Sequence, residues 1–174
     1  MANNAYPELP VLDYKKTIVP MADVIASLRR QDIPNAVRRA VYVIFRIESA
    51  NGTKGINNNY GGIQADGQRW QAQYDALMAG TVVLKENTTK KERRFVAFKS
   101  FEGFLALFAG RLQARGIYVG GTTHKIVAMK VRTPAFLAEA YYKEWVTGDA
   151  AAVPPRANVN NFLSMYAQAE KLFP

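Results

Sequence analysis

The stretch RIESANGTKGINNNYGGIQAD, residues 46–66, decides how this chain is read. It begins where the apolar run AVYVIF, residues 40–45, gives way to Arg46 and then to Glu48. It continues through asparagine and glycine to Asp66. The residues before it predict a helix over about 33–50, with Asp32 as its cap and Pro34 inside the first turn. Asn51-Gly52 supplies the stop. At 100° per residue, Val37, Val41 and Ile44 lie within about 40° of Glu48. The glutamate therefore continues an apolar stripe, in the last turn, where the helix dipole is negative. Desolvation and dipole both disfavour a carboxylate there and would raise its pKa. A carboxylic acid kept protonated near neutral pH is what a general acid needs. Periodicity leaves a second reading open, in which Glu48 turns to solvent at a frayed helix end or pairs with Arg46.

Outward from this stretch the pattern is mostly helical. Residues 1–17 are proline-rich and aperiodic, an arm lying along the surface, and 18–174 are expected to form one domain. A helix is expected in VPMADVIASLRRQ, with Met21, Val24, Ile25 and Leu28 on one face. Residues 51–69 are expected to form a long ordered loop, or a loop with a short helix, and loops of that length in compact domains are usually functional or disordered. A short helix follows in RWQAQYDALM, with Trp70, Tyr74 and Leu77 inward. TVVLK and RRFVAFK, joined by ENTTKKE, read as a hairpin. A buried helix capped by Ser100 comes next and stops at Gly116. Thr133 and Pro134 open another helix, which stops at Gly148, and the last lies within 158–173. The sum is an α+β domain, mostly helical, with one small β-hairpin.

Composition narrows the chemistry. Hydrophobic residues make up 49% of 174, as in a globular chain. There is no cysteine and a single histidine, His124, which excludes thiolate and multi-histidine metal sites. No metal or cofactor is expected. No run is long enough to span a membrane, so no membrane insertion is expected. The first residues lack the basic-then-apolar pattern of a secretory signal, so synthesis in a cytoplasm is expected. The net charge is +9, from 23 basic and 14 acidic residues. Basic residues gather in KENTTKKERR, residues 85–94, and between Arg111 and Arg132. Such a field suits a polyanion: nucleic acid, an anionic membrane or the bacterial wall. It is equally the charge of solvated helix faces.

A glutamate ending a buried helix, then serine, then a Gly/Asn-rich loop ending NNYGGIQAD, resembles the lysozyme-like superfamily of peptidoglycan hydrolases. Glucosaminidases of glycoside hydrolase family 73, including the flagellar peptidoglycan hydrolase, carry a glutamate-serine pair and then an Asn-x-Phe-Gly-Ile-Lys-like stretch. IES and NNYGGIQ are similar, with one extra glycine and Tyr60 in the aromatic place. RRFVAFKSFEGFLALFAGRL resembles the family's hairpin leading into an aromatic helix. GIQ, residues 62–64, is similar to the end of the Gly-x-x-Gln element of lytic transglycosylases. The likeness covers about residues 33–116 and weakens beyond them.

The resemblance implies a peptidoglycan glycosidase, a muramidase or glucosaminidase, with Glu48 as general acid. Tyr60, Gly62 and Gln64 would lie along a glycan cleft. Apart from the resemblance, the aromatics Tyr141, Tyr142 and Trp145 sit on the helix before Gly148, where one face is core and one ring, Tyr142, is a candidate to line a sugar subsite. The second carboxylate is open. The hairpin positions that match the family's acid, near Val83 and Leu84, are apolar. Glu86 is the nearest acid, Glu92 lies on the other arm, and Asp66 and Asp75 stand further out. Lytic transglycosylases use one glutamate, because the substrate's own 6-hydroxyl attacks. The partner implied is the peptidoglycan glycan strand. The basic residues are not interleaved with aromatics, so no nucleic acid is expected, and small size without a secretory signal suits a phage product, endolysin or virion-borne. A non-catalytic wall-binding or structural protein of the same fold is the reading from another class.

Overall fold

The computed structural model describes residues 3–67, 69–85, 90–115, 117–120, 126–129 and 133–174. The α+β class is as expected. Helices α1 (Met21–Arg30), α2 (Asn35–Glu48), α3 (Phe101–Arg115), α4 (Pro134–Tyr141) and α5 (Arg156–Leu172) are the larger elements. Strands β1 (Lys16–Thr17) and β2 (Gly55–Ile56) form a short antiparallel pair, β3 (Met78–Lys85) and β4 (Glu92–Phe98) the main hairpin, and β5 (Ile117–Gly120) and β6 (Ile126–Met129) a second antiparallel pair. Only one hairpin is expected from the sequence. The second rests on strands rich in β-branched and aromatic residues, the composition that favours pairing.

The chain divides into two compact units, one of residues 1–27 and 45–107, the other of 28–44 and 108–174. In the first, Tyr6, Val24, Phe45, Tyr60, Ile63, Val82, Val96 and Phe104 are buried. Phe104 packs against Phe45, Tyr60 and Phe98 at ring separations of 6.1, 5.9 and 5.7 Å. The hairpin runs in register from Gly80↔Ala97 to Lys85↔Glu92. Each of its edges is bridged at one point. The arm bridges to β3 at Val11↔Thr81, with the Leu12 amide donating to the Thr81 carbonyl and the Thr81 amide to the Pro10 carbonyl. The loop bridges to β4 at Gln64↔Phe95, where the Val96 amide donates to Ile63 and the Ala65 amide to Arg94. These bridges pair the middle of each edge with the chain's own backbone. The arm is anchored by Tyr6, which is fully buried, while most of its other residues stay exposed.

In the second unit, Leu28, Val41, Ile44, Phe108, Leu137 and Phe162 are buried. Tyr141 packs on Phe162 at 5.7 Å and Trp145 edge-on to Phe108 at 5.5 Å. Helix ends explain several of the arginines. Arg38 donates to the Leu28 and Gln31 carbonyls at 3.0 and 2.6 Å, at and beyond the end of α1. Arg29 and Arg39 donate to Leu172 and Phe173 at the end of α5, at 3.2 and 2.8 Å. A cation there satisfies orphan carbonyls and the dipole together.

Two of the three caps read from sequence are present; the third is not, because α2 begins at Asn35 and the Val37 and Arg38 amides donate to the Pro34 carbonyl, which puts Pro34 and not Asp32 at the cap position. The Gly103 amide donates to Ser100 Oγ at 3.3 Å and the Phe136 amide to Thr133 Oγ1 at 3.2 Å. Past Tyr141 the helix widens into a π-helical turn, Tyr142–Thr147, which Gly148 ends at φ 65°. The short helix expected in RWQAQYDALM is a 3-10 turn, Ala72–Leu77, with Tyr74 and Leu77 only half-buried.

Candidate functional site

Glu48 is the last residue of α2 and is half-buried. The stripe it is expected to continue is fully buried at Val41 and Ile44 and half-buried at Val37. Over residues 40–45 every side chain is buried, so the helix is apolar all round there and opens to solvent from Arg46 onward.

The residue after Glu48 sets how the chain leaves. Ser49 is buried, and its hydroxyl donates to the Phe45 carbonyl at 2.5 Å while accepting the Gly52 amide at 2.8 Å. It therefore closes the last helical turn and anchors the first loop turn through one atom. Ala50, Asn51 and Gly52 then follow in the left-handed region at φ 48°, 56° and 82°. Gly52 cannot be replaced without strain, since a Cβ would fall 2.2 Å from the Val19 carbonyl oxygen. Asn51 also accepts from Arg46 Nε at 2.8 Å.

Three successive asparagines fix the rest of the loop, each with a different partner. Asn57 Oδ1 accepts the Lys15 amide at 2.8 Å and its Nδ2 donates to the Asp13 carbonyl at 3.0 Å, holding the arm. Asn58 Nδ2 reaches the Phe98 and Lys99 carbonyls at 3.1 and 3.3 Å, at the end of β4. Asn59 is buried; its Nδ2 donates to the Ile63 and Val96 carbonyls, both at 2.9 Å, and its Oδ1 accepts the Ile63 amide at 3.0 Å. Asn57 and Asn58 take φ 49° and 60°, a region asparagine tolerates better than most residues. Sequence reading registers these residues only as loop composition. The signal that could have found them is an asparagine run ahead of paired glycines, side chains that can satisfy backbone groups where no ladder does.

The candidate glycan-binding residues separate. Residues 61–65 alternate, with Gly61, Ile63 and Ala65 buried and Gly62 and Gln64 exposed, so the last two share an open face. Gly62 has φ 65° and nothing within 4 Å of a Cβ position. The Gln64 carbonyl accepts Trp70 Nε1 at 2.9 Å, leaving its side chain outward. Tyr60 is not on that face. It is 2% exposed, and its ring packs at 5.2 Å from Phe45. Burial pushes its phenol above the usual range, opposed by a hydrogen bond with Thr17. Tyr142 is half-buried, in the other unit.

Among the acids, Glu86 lies outside the described residues, as does His124. Asp66 has a side chain only 6% exposed, 3.7 Å from Arg93, and it accepts the Arg94 amide at 3.3 Å. Asp75 pairs with Arg69 at 2.9 Å, and Arg69 also reaches Glu8 at 2.6 Å and lies over the Tyr6 ring. Glu92 is exposed. No described helix is long and apolar enough to cross a membrane.

No family model matches the chain, and no curated protein does. Among solved structures, the chain is similar to a C-terminally truncated glycoside hydrolase domain of FlgJ from Salmonella typhimurium. The identity is 15% and the TM-score 0.43, over 87% of this chain and 93% of that one.

Proposed function

We propose that the chain is a peptidoglycan glycosidase acting on β-1,4 bonds of the wall glycan, with Glu48 as general acid. The observation that carries this reading is the setting of that carboxyl. It ends a buried helix, half in and half out of solvent, and the residues after it are held by Ser49 and by three asparagines. A general acid needs a fixed position and partial desolvation together. Gly62 and Gln64 supply an open face on the same loop, where a backbone free of side chains can approach a sugar closely. Tyr60 then acts from beneath, as packing that supports the loop. The basic surface draws in a carboxylate-bearing polymer.

A one-glutamate variant of the mechanism has its own support. Asp66 and Asp75, the described acids weighed as partners, are already engaged by Arg93, the Arg94 amide and Arg69. In that case the sugar's 6-hydroxyl attacks and a 1,6-anhydro end results. Digestion of purified sacculi followed by mass spectrometry of the soluble products tests both. Released muropeptides support the glycosidase, and the reducing-end sugar identifies the bond. A 1,6-anhydro end selects the transglycosylase form. Sacculi left intact at high enzyme concentration would overturn the proposal.

A further inference from the structure

The arm carries a second feature that the proposed cleavage does not use. Tyr14 is 57% exposed and Ile18 65% exposed, large apolar groups left in water. Lys15 and Lys16 between them are also exposed. Thr17 and Val19 turn the other way: Thr17 is half-buried and bonded to Tyr60, and Val19 is buried. Alternate residues of an extended segment share a face. Tyr14, Lys16 and Ile18 therefore form one outward ridge of aromatic, cation and aliphatic groups.

The ridge is held rather than loose. The backbone is gripped on both sides of Tyr14 by one residue, Asn57. Its side chain bonds the Asp13 carbonyl and the Lys15 amide, and its own amide donates to the Lys15 carbonyl at 2.8 Å. Immediately beyond, Lys16↔Ile56 and Thr17↔Gly55 pair as strands. Backbone freedom is thus already lost before any ligand arrives, which is the condition for tight use of few contacts. Asn57 belongs to the loop that leaves Glu48, so ridge and candidate site share one rigid support.

We propose that this ridge is a second contact for the wall polymer: Tyr14 stacks on a sugar face while Lys16 pairs with a carboxylate of the strand. This rests on the reading of the wall glycan as ligand. Charge complementarity chooses that occupant, since Lys15, Lys16 and nearby Lys54 outnumber Asp13 among the exposed residues there. The lysines suit a polymer with carboxylates, and the ring suits the apolar faces of its sugars.

The test is cosedimentation with purified sacculi in a Glu48→Gln background, so that binding is read without cleavage. Tyr14→Ala with Lys16→Gln should lower affinity roughly tenfold, and Lys16→Gln alone should flatten its salt dependence. Tyr14→Phe, which keeps the ring, should bind as the parent does. Thermal unfolding checks that each variant is folded. A double variant that binds like its parent overturns the proposal, and so does Tyr14→Phe failing as badly as Tyr14→Ala. A dimer that Tyr14→Ala converts to monomer without loss of sacculus binding also overturns it, in favour of a second copy as occupant. If the unmutated protein releases no muropeptides but the ridge variants still lose binding, the glycosidase reading falls and the ridge stands.

Discussion

Asn59→Ala isolates what holds the loop after Glu48. The truncation removes hydrogen bonds to the Ile63 amide at 3.0 Å and to the Ile63 and Val96 carbonyls at 2.9 Å. The Ile63 carbonyl keeps the Val96 amide as a donor. The Ile63 amide and Val96 carbonyl fare worse, because both residues are buried and water does not replace the lost partner. A buried backbone group left unpaired costs about 1–3 kcal/mol, so two give roughly 2–6 kcal/mol. For a chain of this size each kcal/mol moves the midpoint by about 2–4 °C, and a fall of about 4–24 °C is expected. Asn59→Asp should be no better, since a carboxylate accepts from Ile63 but cannot donate to either carbonyl. Calorimetry reads the stability, and sacculus digestion below the midpoint reads the loop. Turnover should drop with the native fold still populated. A loss under about 0.5 kcal/mol, the scale of an ordinary surface change, would refute the claim that Asn59 organises the loop.

Gly52→Ala should cost more than about 2 kcal/mol, because φ 82° and the Val19 carbonyl oppose a side chain together. At Gly55 a Cβ would fall 2.4 Å from the Tyr60 ring, so Gly55→Ala should cost about 1–3 kcal/mol by overpacking, read by urea unfolding. Burial raises the Tyr60 phenol above its usual 10.0, so the folded form keeps the proton after the unfolded chain loses it. That stability is present below pH about 10 and is lost as pH rises through the folded value; urea midpoints should fall in alkali, less steeply in Tyr60→Phe. Glu86→Gln should reduce activity only in part. Silence at Glu86 with inactivation by Asp66→Asn or Asp75→Asn would move the second carboxylate off the hairpin, to about 5–5.5 Å from Glu48 for retention or about 6.5–9.5 Å for inversion.

Elements with periodic apolar faces or strong end signals are legible in the sequence: α2, the main hairpin, and α3 and α4 with their Ser100 and Thr133 caps. Local chemistry fixes these, so a local reading finds them. The rest depends on partners distant in sequence. Nothing around Tyr6 or Val11 says that the arm will pair with Thr81, far along the chain. The same holds for Tyr60, whose aromatic character suits a sugar as well as a core; only the approach of Phe45 and Phe104 decides that it is packed inside. Part of the positive charge also has a structural use hidden from composition, in Arg29, Arg38 and Arg39 at helix ends. Glu48 stands out by its place at the end of an apolar helix. It sits less deep than the stripe implies, because solvent reaches the helix from Arg46 onward.

Cleavage as proposed depends on the proton that Glu48 donates. Glu48→Gln keeps the side chain's shape and removes that proton. Zymography on purified peptidoglycan, with circular dichroism and thermal unfolding on the same sample, should show an intact fold and a loss of about two orders of magnitude or more in turnover, the scale of general acid catalysis. A folded Glu48→Gln protein that clears the gel at close to the parent rate would rule out Glu48 as the general acid.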